Sequence, residues 1–454
     1  MATSIIALPP SCRTPPPRFM SVPAPHARRV RASPQPPSVD EEMRGVRAGT
    51  IVFLGIAAGN LGNYLFHFTS ARLLGPASYG DVASLVALVG LISLPLVGVQ
   101  VAVARYVAGF LEARAQTSIA LLFSKGLRLS LALGIVIALV FGVIAVPLSN
   151  FLGIDSLVAV LLMALVAVPS CVSPVVWGLA QGLQRFVLFS ASIGIGPALR
   201  PILAAILLAT GFGVAGAMGA TLIAAIVGVT VPLVILRGWI TRDRNQSSPV
   251  PRREVARYLI PAMVGVLSIT SLTTVDVIAA KAALSDHDAG LYGSASLIGR
   301  VILYLPAAIV LVLLPKVAAR EAAGRESRDV LVKSLLVTIG FCVTATVTYA
   351  LAPRLLVFLA FGSSFEDAAG LLWMFALAMS GYAILNVLLA YHLGRGANRL
   401  SFLLLVGALV QIVLFAAFHG SPEQLLAIDI AVAIALLVAH ETFVMRTLAA
   451  RPAP

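Results

Sequence analysis

The sequence predicts an all-α membrane protein, with about 12 transmembrane helices in two pseudo-symmetric six-helix bundles around a central cavity. Three observations carry that reading. The chain is apolar throughout, with 59% hydrophobic residues, 11% charged residues and a mean hydropathy of +0.99 over 454 residues. Its apolar residues gather into runs of about 19–25, the length that crosses roughly 30 Å of hydrocarbon. Its basic residues fall in alternate loops, and the second half of the chain echoes the first. A soluble protein of this length needs far more charge to cover its surface. The 27 prolines and 37 glycines suit spanning helices, where neighbouring helices re-satisfy freed backbone groups. The ten-residue alternation that marks a membrane β-barrel does not occur in the sequence.

Residues 1–49 read as a disordered Pro- and Arg-rich tail with no acid before Asp40, because such a composition buries too little apolar surface to order itself. There are two readings of it. One is a plain cytoplasmic tail. The other is an organelle transit peptide over residues 1–33, with a plastid-type processing site at Val30–Ser33, since such peptides are rich in Arg and Ser and poor in acids. Spans are then expected at 50–71, 82–104, 127–148, 157–178, 187–209, 213–236, 257–280, 291–314, 334–352, 368–391, 400–418 and 424–445. An N-terminal bundle (50–237) and a C-terminal bundle (257–447) are joined by a cytoplasmic linker (238–256) bearing Arg242, Arg244, Arg252 and Arg253, and residues 448–454 form a short tail.

With the amino terminus in the cytoplasm, 27 of the 32 Lys and Arg residues lie in inside segments. Three lie outside (Arg72, Lys281 and Arg354), and Arg200 and Arg300 lie within spans. Both termini are therefore expected in the cytoplasm of a cell-membrane protein, or of a plastid-envelope protein on the transit-peptide reading. The net charge of +13 does not imply nucleic acid, because it is dispersed over short loops between apolar runs. Cys12, Cys171 and Cys342 lie far apart without metal-ligand spacing, so neither a disulfide framework nor a metal is expected. The sequence carries no phosphate-cradling loop, zinc pattern or nucleophile–base pair. Neither enzyme activity nor a cofactor is expected.

Sliding the chain on itself by about 210 residues brings segments into register. Leu179–Arg185 overlays Leu393–Arg399, each after the fourth span of its half. Arg105 and Arg114 overlay Lys316 and Arg325. Arg72, followed by Tyr79-Gly80, overlays Lys281, followed by Tyr292-Gly293, with four extra residues in the later loop. Phe151-Leu152 overlays Phe358-Leu359. A six-span unit ends on the side where it began, so the two halves share one topology, as in transporters that rock two halves about a central site.

Leu74-Gly-Pro-Ala-Ser-Tyr-Gly80 resembles a signature of the polysaccharide flippases (O-antigen and exopolysaccharide translocases) of the multidrug/oligosaccharidyl-lipid/polysaccharide exporter superfamily. Gly178–Phe186 is similar to that family's loop after the fourth span. Asp276–Lys281, Ala289–Gly293, Gly299-Arg300 and Leu314-Pro-Lys316 resemble its seventh and eighth helices, and Phe361–Phe365 the glycine turn before its tenth. The resemblance covers about residues 50–447. It implies a transporter that moves a lipid-linked saccharide between leaflets without hydrolysing nucleotide.

Intramembrane charge is costly and marks functional sites. Arg200 and Arg300, each near the middle of a span, are candidates to hold the phosphate of an anionic cargo, for which a guanidinium fork is suited. The alternative for each is pairing with an acid or with helix carbonyls. Asp276 is a candidate proton or sodium site for coupling to a gradient, its alternative being an ion pair with Arg300 or Lys281. Asn60, Asn63 and His67 follow i, i+3, i+7 spacing on one face of the first span. The two asparagines are candidate cargo contacts, and His67, which overlays Asp276, is a second coupling candidate. Gln411 overlays Arg200. Gln181, Asn386 and His392 read as structural polarity, and Asp429 and Glu441 as acids without a sequence partner, apart from Arg446 near Glu441.

Three functions are consistent with these features. The first is a monomeric flippase of a lipid-linked (polyprenyl-pyrophosphate) oligosaccharide, driven by a proton or sodium gradient and serving the glycosyltransferases or polymerase of a surface-polysaccharide pathway. The second is an ion-coupled multidrug or organic-cation antiporter, whose cavity favours acids; two mid-membrane cations against the single acid Asp276 argue for an anionic cargo instead. The third is a non-transporting membrane scaffold, which intramembrane charge disfavours.

Overall fold

In the computed structural model the apolar runs are helices, because lipid offers backbone N–H and C=O groups no partner and a helix satisfies them internally. The structure describes residues 39–240 and 252–445, and these contain no strand. The expectations for the tail before Val39, most of the linker, the carboxyl end, Cys12 and Arg446 lie outside the described residues. The chain divides into two units, 1–47 and 48–454, and every membrane-crossing stretch belongs to the second.

Among the described residues, eleven helical stretches are long and apolar enough to cross a membrane. The first, Gly49–Glu112, has 64 residues; at 1.5 Å per residue it would extend about 96 Å, far more than one crossing. It is two spans. The helix α1 (Val39–Ser93) breaks at Gly75, whose φ of 74° a residue with a Cβ adopts only under strain, and Pro76 restarts it. A short turn at Leu94–Leu96 leads into α2 (Val97–Glu112). Counted this way, the described residues cross twelve times.

The other N-terminal helices are α3 (Gln116–Val143), the short α4 (Ala145–Leu152), α5 (Leu157–Gly182), α6 (Phe186–Ala209) and α7 (Gly213–Ile235). In the C-terminal half, α8 (Arg252–Leu272) and α9 (Val275–Ala283) make the seventh span. The eighth is α10 (Asp286–Gly299), a tight turn at Arg300–Leu303, and α11 (Tyr304–Ala322). Then come α12 (Arg328–Leu351), α13 (Pro353–Phe361), α14 (Leu372–Gly394), α15 (Arg399–Ala417) and α16 (Pro422–Ala439).

Burial repeats between the halves. The fourth span of each, α5 and α14, is its central post, with 67% and 72% of the apolar stretch buried. The third spans, α3 and α12, lie outermost, at 6% and 17%. On α3 the residues Leu129, Leu133, Val136, Val140 and Val143 form an exposed stripe at i, i+4, i+7 spacing. That stripe is a face for lipid tails.

Four expected spans need correction. The span at 127–148 is α3, starting eleven residues earlier, followed by the separate α4. The spans at 82–104, 257–280 and 291–314 are interrupted, at Leu94–Leu96, at Thr273–Thr274 and at Arg300–Leu303. Hydropathy averaged over some twenty residues does not register a break of two, and such breaks persist at membrane depth only where other groups satisfy the freed backbone.

Candidate functional site

The halves meet at one end of their seam through side chains the repeat places in register. Pro76 and Gly80 of α1 press onto Ala289 and Gly290 of α10, so closely that a Cβ on Gly290 would lie 1.8 Å from the Pro76 carbonyl oxygen. Lys281 bridges the halves, its Nζ 2.6 Å from Asp81 and also paired with Asp286. Arg72 Nη2 donates to the Leu359 carbonyl at 2.7 Å. Beneath these polar ties Tyr79 packs on Phe361 and Phe365, and Phe68 on Phe361. Of the two partners considered for Asp276, Lys281 is therefore excluded by its commitment to Asp81 and Asp286.

Asp276 sits in the first turn of α9, where the positive end of a helix favours a carboxylate. It is fully buried. Arg300 Nη2 donates to its Oδ1 at 3.1 Å and the Tyr292 hydroxyl to its Oδ2 at 3.2 Å. The break that starts α9 frees the Leu272 carbonyl, which accepts a hydrogen bond from Gln411 Nε2 at 3.1 Å. The same amide nitrogen bonds Asp429 Oδ1 and lies 3.0 Å from the Tyr382 hydroxyl, which in turn donates to the Asp429 carbonyl. Asp429, which reads as partnerless in the sequence, is thus tied to Gln411 and fully buried. The mid-membrane tally becomes two arginines against two carboxylates. What distinguishes them is access, since 23% of the Arg300 side chain is exposed and none of Asp276.

Arg200 lies in the N-terminal half. Its Nε donates to Thr221 at 3.0 Å, its Nη1 to Asn63 Oδ1 at 3.4 Å, and its guanidinium carbon stands 3.5 Å from the Phe66 ring centroid. His67 Nδ1 shares a 3.0 Å hydrogen bond with the Tyr79 hydroxyl. Among the described residues, no side-chain hydrogen bond joins Asn60 or His67 to either arginine. The candidates therefore fall into two groups, Arg200 with Asn63 in one half and Arg300 with Asp276 in the other. Gln181 pairs with Gln100 and His392 with His440, in keeping with structural roles.

These bonds reproduce the sequence repeat. His67 and Tyr79 lie 12 residues apart and their counterparts Asp276 and Tyr292 lie 16 apart, the difference being the four extra residues of the later loop. Arg200 binds Thr221 just as its counterpart Gln411 binds Asp429. The duplicated framework carries a cation in one half and carboxylates in the other. Sequence reasoning gave Asp429 and Tyr292 no role at the site and did not name Thr221; for Tyr292 its overlay on Tyr79 was the available signal.

No metal-binding group of three or more His, Cys, Asp or Glu occurs among the described residues. Residues 46–320 match the family described as polysaccharide biosynthesis protein. A search of curated proteins by sequence gave no match. Among solved structures, the chain is similar to an inward-facing multidrug-resistance MATE transporter of the MOP superfamily (TM-score 0.70, 18% identity, 86% of this chain and 95% of that one). It is also similar to a MOP-superfamily transporter from Pyrococcus furiosus Vc1, whose binding pocket is described as having reverse polarity (TM-score 0.61, 18% identity, 89% and 95%). A third similarity is to a eukaryotic MATE transporter (TM-score 0.60, 15% identity, 88% and 96%). Fold, duplicated halves and family match together make this chain a multi-pass membrane protein of the polysaccharide biosynthesis protein family, with the fold of MOP-superfamily transporters.

Proposed function

We propose that the protein flips a lipid-linked oligosaccharide bearing a pyrophosphate head, by alternating access between its two halves. The observation that supports this most directly is the accessibility of charge along the seam. An incoming head group meets the partly exposed Arg300 side chain, whose enclosed Nε has no protein partner among the described residues, whereas Asp276 and Asp429 are fully enclosed. An accessible cation over hidden carboxylates suits an anion and opposes a cationic drug. The phosphate oxygens compete with Asp276 for Arg300 through charge-assisted hydrogen bonds. Once Arg300 turns to the cargo, Asp276 loses its counter-charge, and a coupling cation can take that place. Cargo binding and ion binding are thereby linked through one guanidinium.

The basic-residue count supports an orientation in which the sealed end, with Arg72, Asp81 and Lys281, faces outward and both termini lie in the cytoplasm. The lipid tail stays in the bilayer beside the seam while the head crosses.

The test is flipping of a fluorescent polyprenyl-pyrophosphoryl saccharide in proteoliposomes. Loss of one charge-assisted contact costs about 1.5–3 kcal/mol, so Arg300→Gln should slow flipping by about 10- to 150-fold. Unchanged flipping in a folded Arg300→Gln protein sinks the phosphate-clamp reading. The two enclosed carboxylates favour one second reading, ion-coupled antiport of organic cations. Raised resistance to cationic dyes on expression, without any flipping, would decide for it.

A further inference from the structure

A separate cavity of about 250 Å³ lies within the N-terminal half, away from the Arg300–Asp276 pair. Its wall includes Asn63, Ser170, Ser173, Trp177, Arg200 and Thr221. Arg200 is more than nine-tenths buried, yet no carboxylate pairs with it among the described residues. Among the described residues, one of its donors, Nη2, has no acceptor, and the indole Nε1 of Trp177 is likewise without one. A buried guanidinium is retained at a cost unless an anion compensates it. Arg300 has Asp276 for this purpose, and the counterpart of Arg200 in the repeat is the neutral Gln411. Thr221 and Asn63 accept two of its hydrogen bonds but bring no negative charge, and the Phe66 face offsets only part of the cost.

We infer that this cavity is a binding site for a single oxyanion group, carboxylate or phosphoryl, held by Arg200 Nη2 and the Trp177 indole N–H with hydroxyls around it. A guanidinium accepts both groups through the same fork. Asn63 is exposed, which gives the cavity an edge at which a larger solute can enter. Two sources supply such a group: a free inorganic anion, or an acidic sugar, whose ring can also lie against the Trp177 indole. The inference stands independently of the flippase reading, because it concerns binding in the purified protein and not transport.

Trp177 is its own reporter. In a Trp239→Phe/Trp373→Phe background, with protein purified in detergent at constant ionic strength, Trp177 fluorescence is titrated with inorganic phosphate, with glucuronate and with neutral glucose. A saturable change with phosphate or glucuronate but not glucose is expected. A response to phosphate marks a phosphoryl or free-anion site, and a response confined to glucuronate marks an acidic-sugar site. Arg200→Gln should weaken the response at least tenfold, as should Arg200→Lys, which keeps the charge and loses the fork and so guards against a folding defect in the first variant. Arg354→Gln, an exposed arginine remote from the cavity, should leave it unchanged. Absence of a saturable response to either anion overturns the inference. So does an equal response to glucose, or anion binding that survives in both Arg200 variants.

Discussion

A methyl group placed on Gly290 tests whether the sealed end of the seam is a moving gate. In the closed arrangement its Cβ would lie 1.8 Å from the Pro76 carbonyl oxygen, 2.5 Å from the carbonyl carbon and 2.9 Å from Pro76 Cα. All three are backbone atoms held by helices, so no rotamer change relieves the clash; α1 and α10 must separate. Overpacking of this kind costs about 1–3 kcal/mol, which multiplies the open-gate population by about 5 to 150. Gly80→Ala is a graded control, since its Cβ meets the Gly290 nitrogen at 3.1 Å and needs a shift of only tenths of an ångström. The assay is reaction of a cysteine at Ala83, a buried seam position packed toward Gly293, with a water-soluble maleimide in detergent. Cys12, Cys171 and Cys342 are first replaced by alanine. Gly290→Ala should speed labelling by at least fivefold and Gly80→Ala by less. Equal labelling of parent and Gly290→Ala, with the protein still folded, would refute a gate built on this contact.

Two further tests address charge. Asp276→Asn should lower thermal stability in detergent by about 3–5 kcal/mol because it leaves Arg300 uncompensated, whereas Asp276→Asn/Arg300→Gln should recover much of that loss; additive losses in the double mutant would show that the pair does not couple. At the gate, Lys281→Met leaves Asp81 unpaired and should cost about 1–3 kcal/mol. The exchange Asp81→Lys/Lys281→Asp, made together with Asp286→Asn because Asp286 also pairs with Lys281, should restore both stability and slow labelling at position 83, and failure to restore either would show that the bridge adds nothing beyond packing.

Much of the fold was legible because lipid imposes a strict rule on sequence. Each crossing needs some twenty apolar residues and each inside loop tends to be basic, so the spans and an expected topology follow from composition along the chain. The repeat was legible too, through loop residues such as Arg72 and Lys281, and through Tyr79 and Tyr292. Partnerships were not. Lys281 is as near to Asp276 in sequence as to Asp286, and only the approach of α1 to α10 hands it to Asp81.

Some twelve crossings in two like halves, with arginines at depth, are properties this chain carries in its order of residues alone. They depend on hydrophobic length, loop charge and duplication, all local along the chain. Which charges neutralise one another was settled by packing in three dimensions. The folded chain buries Asp276 and Asp429 while leaving Arg300 at the seam, and it places Arg200 at a largely apolar cavity with no carboxylate paired to it among the described residues. That allocation depends on side chains from helices far apart in sequence, brought within a few ångströms of one another, where the low dielectric makes each pairing decisive.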